Sequence, residues 1–466
     1  MKNVAFHNLG CKVNSYELDV VQQNFVEKGY KIVPFDQNAD IYIINTCTVT
    51  NIADRKSRQM LHQAKKRNPE ALVVALGCYV QTGKENVEMD ACIDIAIGNN
   101  KKKDTVDIIE AYLEENQRIA KTDYVIDINQ THEYEEMTLK KAGEHTRAYI
   151  KIQDGCNQFC TYCIIPFARG RVRSRLPEDI CNEIEGLIQK GYKEFVLTGI
   201  HISSYGVDFT DESLIAGLQA EWLSVGNGQA SSDATRYGKG TSLLPELIIR
   251  IHNINGVERI RLGSLEPQIV TEGFAKTIGG LGKMCPHFHL SLQSGCDATL
   301  KRMNRHYNTE EFAKGVERLR KYFNNPAITT DVIVGFPGET DEEFSKTEQF
   351  LKEIRFFEMH IFPYSMRKGT VAAGMKEQVD GEIKKQRSHR LLELEKEQSL
   401  EYRKRFIGST ETVLFEESKN INGKVYAIGH TTRYVKVVKE TEEDLSGKIM
   451  EGKIIGQLND EILVME

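Results

Sequence analysis

The sequence has little of what marks secreted or membrane-spanning proteins. Ten cysteines in 466 residues are too few for a disulfide scaffold. No apolar run is long enough to span a bilayer, and polar residues interrupt the start before any signal-length stretch. We therefore expect a cytoplasmic protein with reduced thiols and no membrane partner. Excess positive charge is also missing, since the net charge is -6. Any contact with nucleic acid must come from local patches.

Three of the cysteines fall within eight residues, at Cys156, Cys160 and Cys163. The odd number completes neither a four-thiolate zinc site nor a set of paired disulfides. A cubane iron-sulfur cluster on three thiolates keeps one iron free to bind a small molecule. The spacing C-x3-C-x2-C, with Tyr162 before the last cysteine, resembles the signature of radical S-adenosylmethionine (SAM) enzymes. A zinc knuckle that lacks a ligand, or chance clustering, is the alternative.

A second set of cysteines, Cys11, Cys47 and Cys78, follows three short apolar runs rich in Val or Ile. Each run precedes a segment with a helical pattern, as parallel strands of an α/β sheet do. Cysteines just past such strands would meet at the carboxyl edge of one sheet, where α/β folds bind ligands. The pattern predicts a second three-thiolate cluster site. The alternative is three unrelated cysteines packed as small apolar residues.

The length allows about three domains. Residues 1–120 alternate strand and helix patterns and predict an α/β domain, and the polar, acidic residues 121–147 predict a linker. Between 148 and 381, apolar runs at helix-plus-strand spacing predict an open (β/α)6 barrel with its active site at the C-terminal mouth of the strands. Its six strands are expected at 148–152, 195–202, 260–265, 288–292, 328–334 and 359–362.

A polar helix at 382–405 leads into residues 406–466, where five apolar runs with Gly-rich turns predict a small antiparallel β-barrel. Residues 207–242 interrupt the central barrel; they are rich in small and polar types and are expected to form a mobile insertion. Trp222, the one tryptophan, lies in this insertion. We expect it to pack the insertion against the barrel. The fold class is therefore α/β and multidomain.

Several motifs extend the resemblance to nearly the whole chain. They are Leu-Gly-Cys-Lys-Val-Asn at 9–14, Asn-Thr-Cys-Thr-Val-Thr at 45–50, Gly-Cys at 77–78, the loop 155–166 and the basic run 169–175. Outside 207–242 the chain resembles the bacterial radical SAM methylthiotransferases. These enzymes join an N-terminal cluster domain, a radical SAM barrel and a C-terminal RNA-binding barrel called TRAM. The branch of this family that the chain resembles most methylthiolates C2 of N6-threonylcarbamoyladenosine at position 37 of tRNA.

The resemblance implies two 4Fe-4S clusters, one on each set of three cysteines, and SAM. One SAM would methylate a sulfur attached to the cluster on Cys11, Cys47 and Cys78, and another would be split at the Cys156 cluster. The C-H bond at C2 of adenine is neither acidic nor polarised, so an ordinary base cannot activate it. We therefore assign no acid or base. The implied partners are tRNA and an electron donor such as flavodoxin or ferredoxin.

The same resemblance implies which residues hold SAM. Tyr162 would lie against the adenine, and Gly199 ends the second barrel strand where backbone groups approach the methionyl amine. The other expected contacts lie at the ends of later strands: Glu266, Ser291, Gln293, Asp331 and Gly335. His201 also lies at a strand end, but a lone histidine is more often structural, so we assign it no chemistry.

Two groups of residues are expected to contact RNA. The first is Arg169, Arg171, Arg173 and Arg175, whose guanidiniums suit phosphates, the methionyl carboxylate or the threonyl carboxylate of the modified base. Ion pairs with nearby acids such as Glu178 and Asp179 are the alternative. The second group is Arg433, Tyr434 and Lys436, which mix basic and aromatic character on a predicted strand.

Two other functions remain open at this point. A methylthiotransferase acting on isopentenyladenosine in tRNA, or on an aspartate of a ribosomal protein, would share the clusters and the barrel. A non-enzymatic iron-sulfur protein that binds RNA would share the cysteines but would not cleave SAM.

Overall fold

The computed structural model describes residues 2–114, 120–141, 146–225, 236–237 and 240–466. It contains an N-terminal α/β layer, a central partial barrel and a C-terminal β-barrel. In the described part of the chain, no helix is both long and apolar enough to cross a bilayer.

The N-terminal part is a five-stranded parallel sheet with the strand order β2-β1-β3-β4-β5. Short Val- and Ile-rich runs form its central strands, as the sequence predicted, and the edge strand β2 was not foreseen. The order reverses between β1 and β3, the point where such sheets bind ligands. The elements are β1 (Asn3–Asn8), α1 (Lys12–Glu27), β2 (Lys31–Val33), β3 (Ile41–Thr46), α2 (Asn51–Arg67), β4 (Leu72–Gly77), α3 (Cys78–Thr82), α4 (Lys84–Met89), β5 (Ile95–Ile97) and α5 (Thr105–Glu114).

The central part begins with β6 (Ala148–Asp154), α6 (Ile165–Ala168), β7 (Arg173–Ser174), α7 (Pro177–Ile188) and β8 (Glu194–Gly199). It continues with α8 (Glu212–Val225), β9 (Arg236–Tyr237), β10 (Gly240–Thr241), α9 (Leu244–His252), β11 (Arg259–Leu262) and α10 (Glu272–Gly279). It ends with β12 (His287–His289), α11 (Asp297–Arg302), α12 (Thr309–Tyr322), β13 (Ala327–Val334), α13 (Asp341–Ile354), β14 (Glu358–Pro363) and α14 (Gly381–Lys404).

Six of these strands form the open barrel that the sequence predicted. Strands β6, β8 and β11 pair in parallel, as do β12, β13 and β14. Isolated parallel bridges, Ile260 with Met284 and Leu265 with Leu290, join the two groups between β11 and β12. The barrel does not close between β14 and β6, because β6 pairs on its other side with the short antiparallel β7.

The C-terminal part is a closed barrel with the strand order β15-β16-β17-β19-β18. Four of its five pairings are antiparallel, and β17 pairs with β19 in parallel. The predicted small barrel is therefore confirmed, with one parallel pair that the repeat of short strands did not reveal. Its strands are β15 (Thr410–Ile421), β16 (Lys424–Thr431), β17 (Lys436–Glu440), β18 (Ile449–Asn459) and β19 (Ile462–Met465).

Two segments are more ordered than the sequence suggested. Part of the insertion 207–242 is helical, as α8, and Leu218 is fully buried while Trp222 packs against the main core. Residues 226–235 and 238–239 of the insertion lie outside the described residues. In the expected linker, Met137 and Leu139 are buried in the same core. One apolar core therefore runs from the N-terminal sheet into the partial barrel.

Candidate metal centres at the barrel mouth

The first set of cysteines lies at one edge of the N-terminal sheet. Cys11, Cys47 and Cys78 directly follow or lie near the ends of β1, β3 and β4, which are neighbours in the sheet. The loops of the first two are in contact, because a Cβ built on Gly10 would lie 3.2 Å from Cβ of Cys47. Each of the three thiols lies within the electrostatic reach of another.

Side-chain amides and a hydroxyl hold these loops in place. Asn14 donates to the carbonyls of Leu9 at 2.7 Å and Thr46 at 3.1 Å, tying the Cys11 loop to the Cys47 loop. Ser57 donates to the carbonyl of Cys47 at 3.0 Å. Asn99 lies 3.5 Å from the sulfur of Cys78 and donates at 2.7 Å to the carbonyl of Ala168 beside the second set of cysteines.

The second set follows the first strand of the barrel. Cys156 comes two residues after β6, and Cys163 donates its backbone N-H to the carbonyl of Cys160 at 2.9 Å. Gly155 has a φ of +71°, and a Cβ there would lie 1.8 Å from the carbonyl oxygen of Arg171. Only glycine can therefore turn the chain from β6 into this loop.

The spacing and the environment of the thiols fit clusters better than a single ion. Around one zinc ion, four thiolates lie about 3.8 Å apart. Among the described residues, neither set of three cysteines has its sulfurs within 4.8 Å of one another. Burial raises the pKa of Cys47 to about 11 and that of Cys163 to about 12. Bound iron would supply the positive charge that such buried thiols need to ionise.

No sequence pattern indicated the role of Arg305. Its Nη1 donates to the sulfur of Cys160 at 3.0 Å, and its Nη2 donates to Glu266. Burial alone would raise the pKa of Glu266, but Arg305 and His201 outweigh it and the pKa lies below its ordinary value. Arg305 therefore links an expected cluster ligand to an expected SAM contact, and Glu266 stays ionised.

The other expected SAM contacts lie around the mouth of the barrel. Gly199 ends β8, Asp331 lies on β13 and Gly335 follows that strand. Ser291 and Gln293 follow β12, and Gln293 has a φ of +67°. Tyr162 packs on Phe336 with ring centroids 6.3 Å apart. Their roles in binding SAM stay predictions.

The arginine run does not form an exposed surface. Arg169, Arg173 and Arg175 are fully buried. Arg169 pairs with Glu17 of α1 and with Asp154, at 3.1 Å from the latter, and Arg173 lies 3.7 Å from Asp154.

Arg175 completes this set of buried ion pairs. It pairs with Glu183 and donates from Nε to Glu136 at 2.8 Å. The expectation that these three arginines grip tRNA is therefore wrong, because all three are buried in ion pairs, and Arg169 joins α1 of the N-terminal part to the barrel. The structure agrees better with the alternative of ion pairs. However, Glu178, one of the acids expected to form them, pairs with Arg250 at 2.9 Å.

Arg171 differs from the rest of the run. It is only half buried, and its guanidinium lies 4.4 Å from the ring centroid of Phe159, which is 38% exposed. It stays a candidate for a contact with RNA.

Tyr434 and Arg433, two of the residues expected to contact RNA, instead hold the C-terminal barrel against the central part. Arg147 and Arg261 each lie 4.8 Å from the ring centroid of Tyr434, which also stacks on His430. Arg433 donates to the carbonyls of Asn324 and Asn325 before β13. These contacts hold the small barrel against the N-terminal ends of the central strands. Lys436 is half buried.

The barrel interior holds polar groups that the sequence analysis did not assign. On three adjacent strands, potential metal-ligand atoms of His289, Asp331 and His360 lie within 4.8 Å of one another. His289 Nε2 is 3.3 Å from a carboxylate oxygen of Asp331. Lys12 follows Cys11 and has no carboxylate partner among the described residues. Desolvation, then Arg261 and Arg147, lower its pKa, and its charge also acts on His360, although the residue is exposed to solvent. Lys12 is therefore a solvent-accessible cation within electrostatic reach of β11 and β14.

Comparisons with known proteins agree with this arrangement. The radical SAM superfamily model matches residues 150–351, and the model of the uncharacterized protein family UPF0004 matches residues 3–98. Among solved structures, the radical SAM methyltransferase TsrM from Kitasatospora setae has a TM-score of 0.53 at 12% identity, covering 78% of this chain and 72% of that one. This likeness concerns the fold alone.

Curated relatives match over nearly the whole length. The threonylcarbamoyladenosine tRNA methylthiotransferase MtaB of Bacillus subtilis is 41% identical, covering 98% of this chain and 94% of the relative. MtaB of Aquifex aeolicus is 37% identical, covering 96% and 98%. A tRNA-2-methylthio-N(6)-dimethylallyladenosine synthase of Thermoanaerobacter pseudethanolicus is 34% identical, covering 97% and 90%.

Proposed function

The chain belongs to the radical SAM methylthiotransferase family, and we propose that it methylthiolates C2 of N6-threonylcarbamoyladenosine at position 37 of tRNA. The observation that carries the proposal is the pair of three-cysteine sets, which Asn99 links by contacts with the sulfur of Cys78 and with the carbonyl of Ala168 after the Cys156 loop. Two relatives that are 41% and 37% identical are named for this activity. The relative named for dimethylallyladenosine is 34% identical.

The residues present fit two 4Fe-4S clusters. Cys156, Cys160 and Cys163 would hold one, and Cys11, Cys47 and Cys78 the other, each with one iron that has no protein ligand. When bound, the clusters and SAM supply the one-electron chemistry and the methylthio group, which ordinary acids and bases cannot provide for an unactivated C-H bond.

The side chains of this chain position the reactants. Arg305 orients Glu266 and the sulfur of Cys160 together, so a ligand held by Glu266 would lie beside the Cys156 cluster site. Asn14 and Ser57 fix the loops of the Cys11 and Cys47 site. Because outer hydrogen bonds of this kind set the position of the inner ligands, they determine how closely the two sites approach.

The threonyl carboxylate needs a cation, and we assign this role to Lys12 in place of the arginine run. Lys12 follows Cys11, is exposed to solvent, lies within electrostatic reach of Arg261, Arg147 and His360 of the central part, and has no carboxylate partner in the described part of the chain. A site built for a charged group rejects an analogue without it, because the cation would be left unpaired. Isopentenyladenosine lacks the carboxylate.

The test is methylthiolation by the reconstituted protein of tRNAs that bear threonylcarbamoyladenosine, isopentenyladenosine or unmodified adenosine. Nucleoside mass spectrometry should find product on the first and little on the others. Lys12→Met should lower the rate on the first substrate, whereas Lys12→Arg should preserve most of it. Equal rates of the wild-type protein on both modified tRNAs would refute the substrate assignment.

We also propose that a flavodoxin or ferredoxin would reduce a cluster held by Cys156, Cys160 and Cys163 and that the protein works in the cytoplasm. Reduced thiols and a tRNA substrate both support that location.

A further inference from the structure

Helix α2 exposes a basic face although the chain as a whole is acidic. Arg55, Lys56, Arg58 and Lys66 are all exposed on it. None of the four has a carboxylate partner among the residues that the structure describes. Exposed charges of this kind add little to folding stability, so the fold does not require them.

The positions of these residues form a line along the helix. Arg55, Arg58 and Lys66 are spaced at i, i+3 and i+11, which places them on one face together with His62. At 1.5 Å per residue the line is about 16 Å long. An extended polyanion can contact several of these cations at once.

In the described part of the chain, the nearby acids are paired with residues other than Arg55, Arg58 and Lys66. Asp54, the acid of the first turn, is held by Arg367 and accepts from Thr48 at 2.7 Å. Asp90 is 2.8 Å from His62, and Asp94 is 3.0 Å from Lys65.

The line begins at the barrel mouth. Helix α2 starts four residues after Cys47, and Asn51 donates at 2.7 Å to the carbonyl of Met366 in the segment after β14. Two apolar side chains, Val49 and Ile52, are 52% and 57% exposed at the same end. The basic face is therefore continuous with the entrance to the cluster sites.

We propose that this face of α2 binds the phosphate backbone of the tRNA stem whose loop enters the mouth. The inference rests on the proposed function for the identity of the RNA. Most of the two basic groups that the sequence suggested are engaged within the protein, because Arg169, Arg173 and Arg175 are buried and Arg433 docks the small barrel. An acidic electron donor fits less well, because it must approach the Cys156 loop and α2 starts from the Cys47 loop.

The test compares two charge-reversal variants of the full reconstituted protein. One is Arg55→Glu/Lys56→Glu/Arg58→Glu. The control is Lys276→Glu/Lys301→Glu/Lys346→Glu, which makes the same charge change at exposed positions on α10, α11 and α13. The affinity for tRNA is measured over a series of salt concentrations. SAM cleavage is measured with dithionite and, separately, with flavodoxin as reductant.

The α2 variant should bind tRNA at least tenfold more weakly at low salt. The slope of log affinity against log salt concentration should decrease in magnitude by about 2–3, because each lost phosphate contact removes about 0.7–0.9 from it. Lys66→Glu alone should lower the slope by less than about 1. The control variant should keep the wild-type slope, and all variants should keep their iron and their dithionite-driven SAM cleavage.

Equal salt slopes for the α2 variant and the wild-type protein would overturn the proposal. Loss of SAM cleavage with flavodoxin alone, at unchanged tRNA affinity, would overturn it in favour of an electron-donor surface. A reduced slope combined with no methylthio product from the wild-type protein would support the RNA surface while refuting the proposed function.

Discussion

Arg305 donates a hydrogen bond to the sulfur of Cys160 across 3.0 Å while its other nitrogen binds Glu266. A cationic donor to a cluster sulfur favours the reduced, more negative state of the cluster. Arg305→Met should therefore retain the iron, shift the midpoint potential of the Cys156 cluster to more negative values and slow SAM cleavage. A redox titration followed by electron paramagnetic resonance measures the shift.

Arg302→Met is the matched control, because Arg302 lies three residues earlier and pairs with Glu343 instead of a cysteine. Its potential should equal that of the wild-type protein. Equal potentials in all three proteins would show that the Arg305 contact does not tune the cluster.

Iron content should divide between the two sets of cysteines. Two cubane clusters give about eight irons per chain after anaerobic reconstitution. Replacing Cys156, Cys160 and Cys163 by Ala should remove about half of the iron and all SAM cleavage. Replacing Cys11, Cys47 and Cys78 should remove the other half and leave reductive SAM cleavage measurable. A full iron complement in the second variant would contradict the assignment of that site.

The buried arginines should matter for stability. Arg175→Met leaves the buried Glu183 without its cation, and breaking a buried pair costs about 3–5 kcal/mol in the free energy of unfolding. Arg250→Met, which breaks the partly exposed pair with Glu178, should cost less than about 1 kcal/mol. Chemical denaturation measures both. Similar losses would mean that burial of Arg175 is not what makes its pair important.

Asp19 should make stability depend on pH. Burial raises its pKa to about 6, against 3.8 for the ordinary side chain. Because the folded pKa is the higher one, Asp19 destabilises the protein increasingly from about pH 4 until the effect is complete above about pH 6. Asp19→Asn should therefore stabilise by about 3 kcal/mol at pH 8 and by about half of that at pH 5. A gain in stability that does not depend on pH would show that the raised pKa of Asp19 is not its cause.

The sequence alone determined much of the fold and the metal sites. The cysteines of both sets follow short apolar runs, and a strand pattern depends only on neighbouring residues. Once the runs are parallel strands of one sheet, their ends must lie at one edge, so Cys11, Cys47 and Cys78 could be grouped before any coordinates. The six strands of the partial barrel followed from the same local periodicity.

Only the tertiary structure decided what the charged residues do. The run from Arg169 to Arg175 looks like an RNA-binding patch, but its acids come from Glu17, Glu136 and Glu183, up to 152 residues away. Arg305 meets Cys160 across 145 residues. The partner of a charged residue cannot be predicted from its neighbours in the sequence, because it depends on which elements pack together in the tertiary structure. The packing of these elements buries Arg169, Arg173 and Arg175 in ion pairs and leaves a basic face exposed on α2.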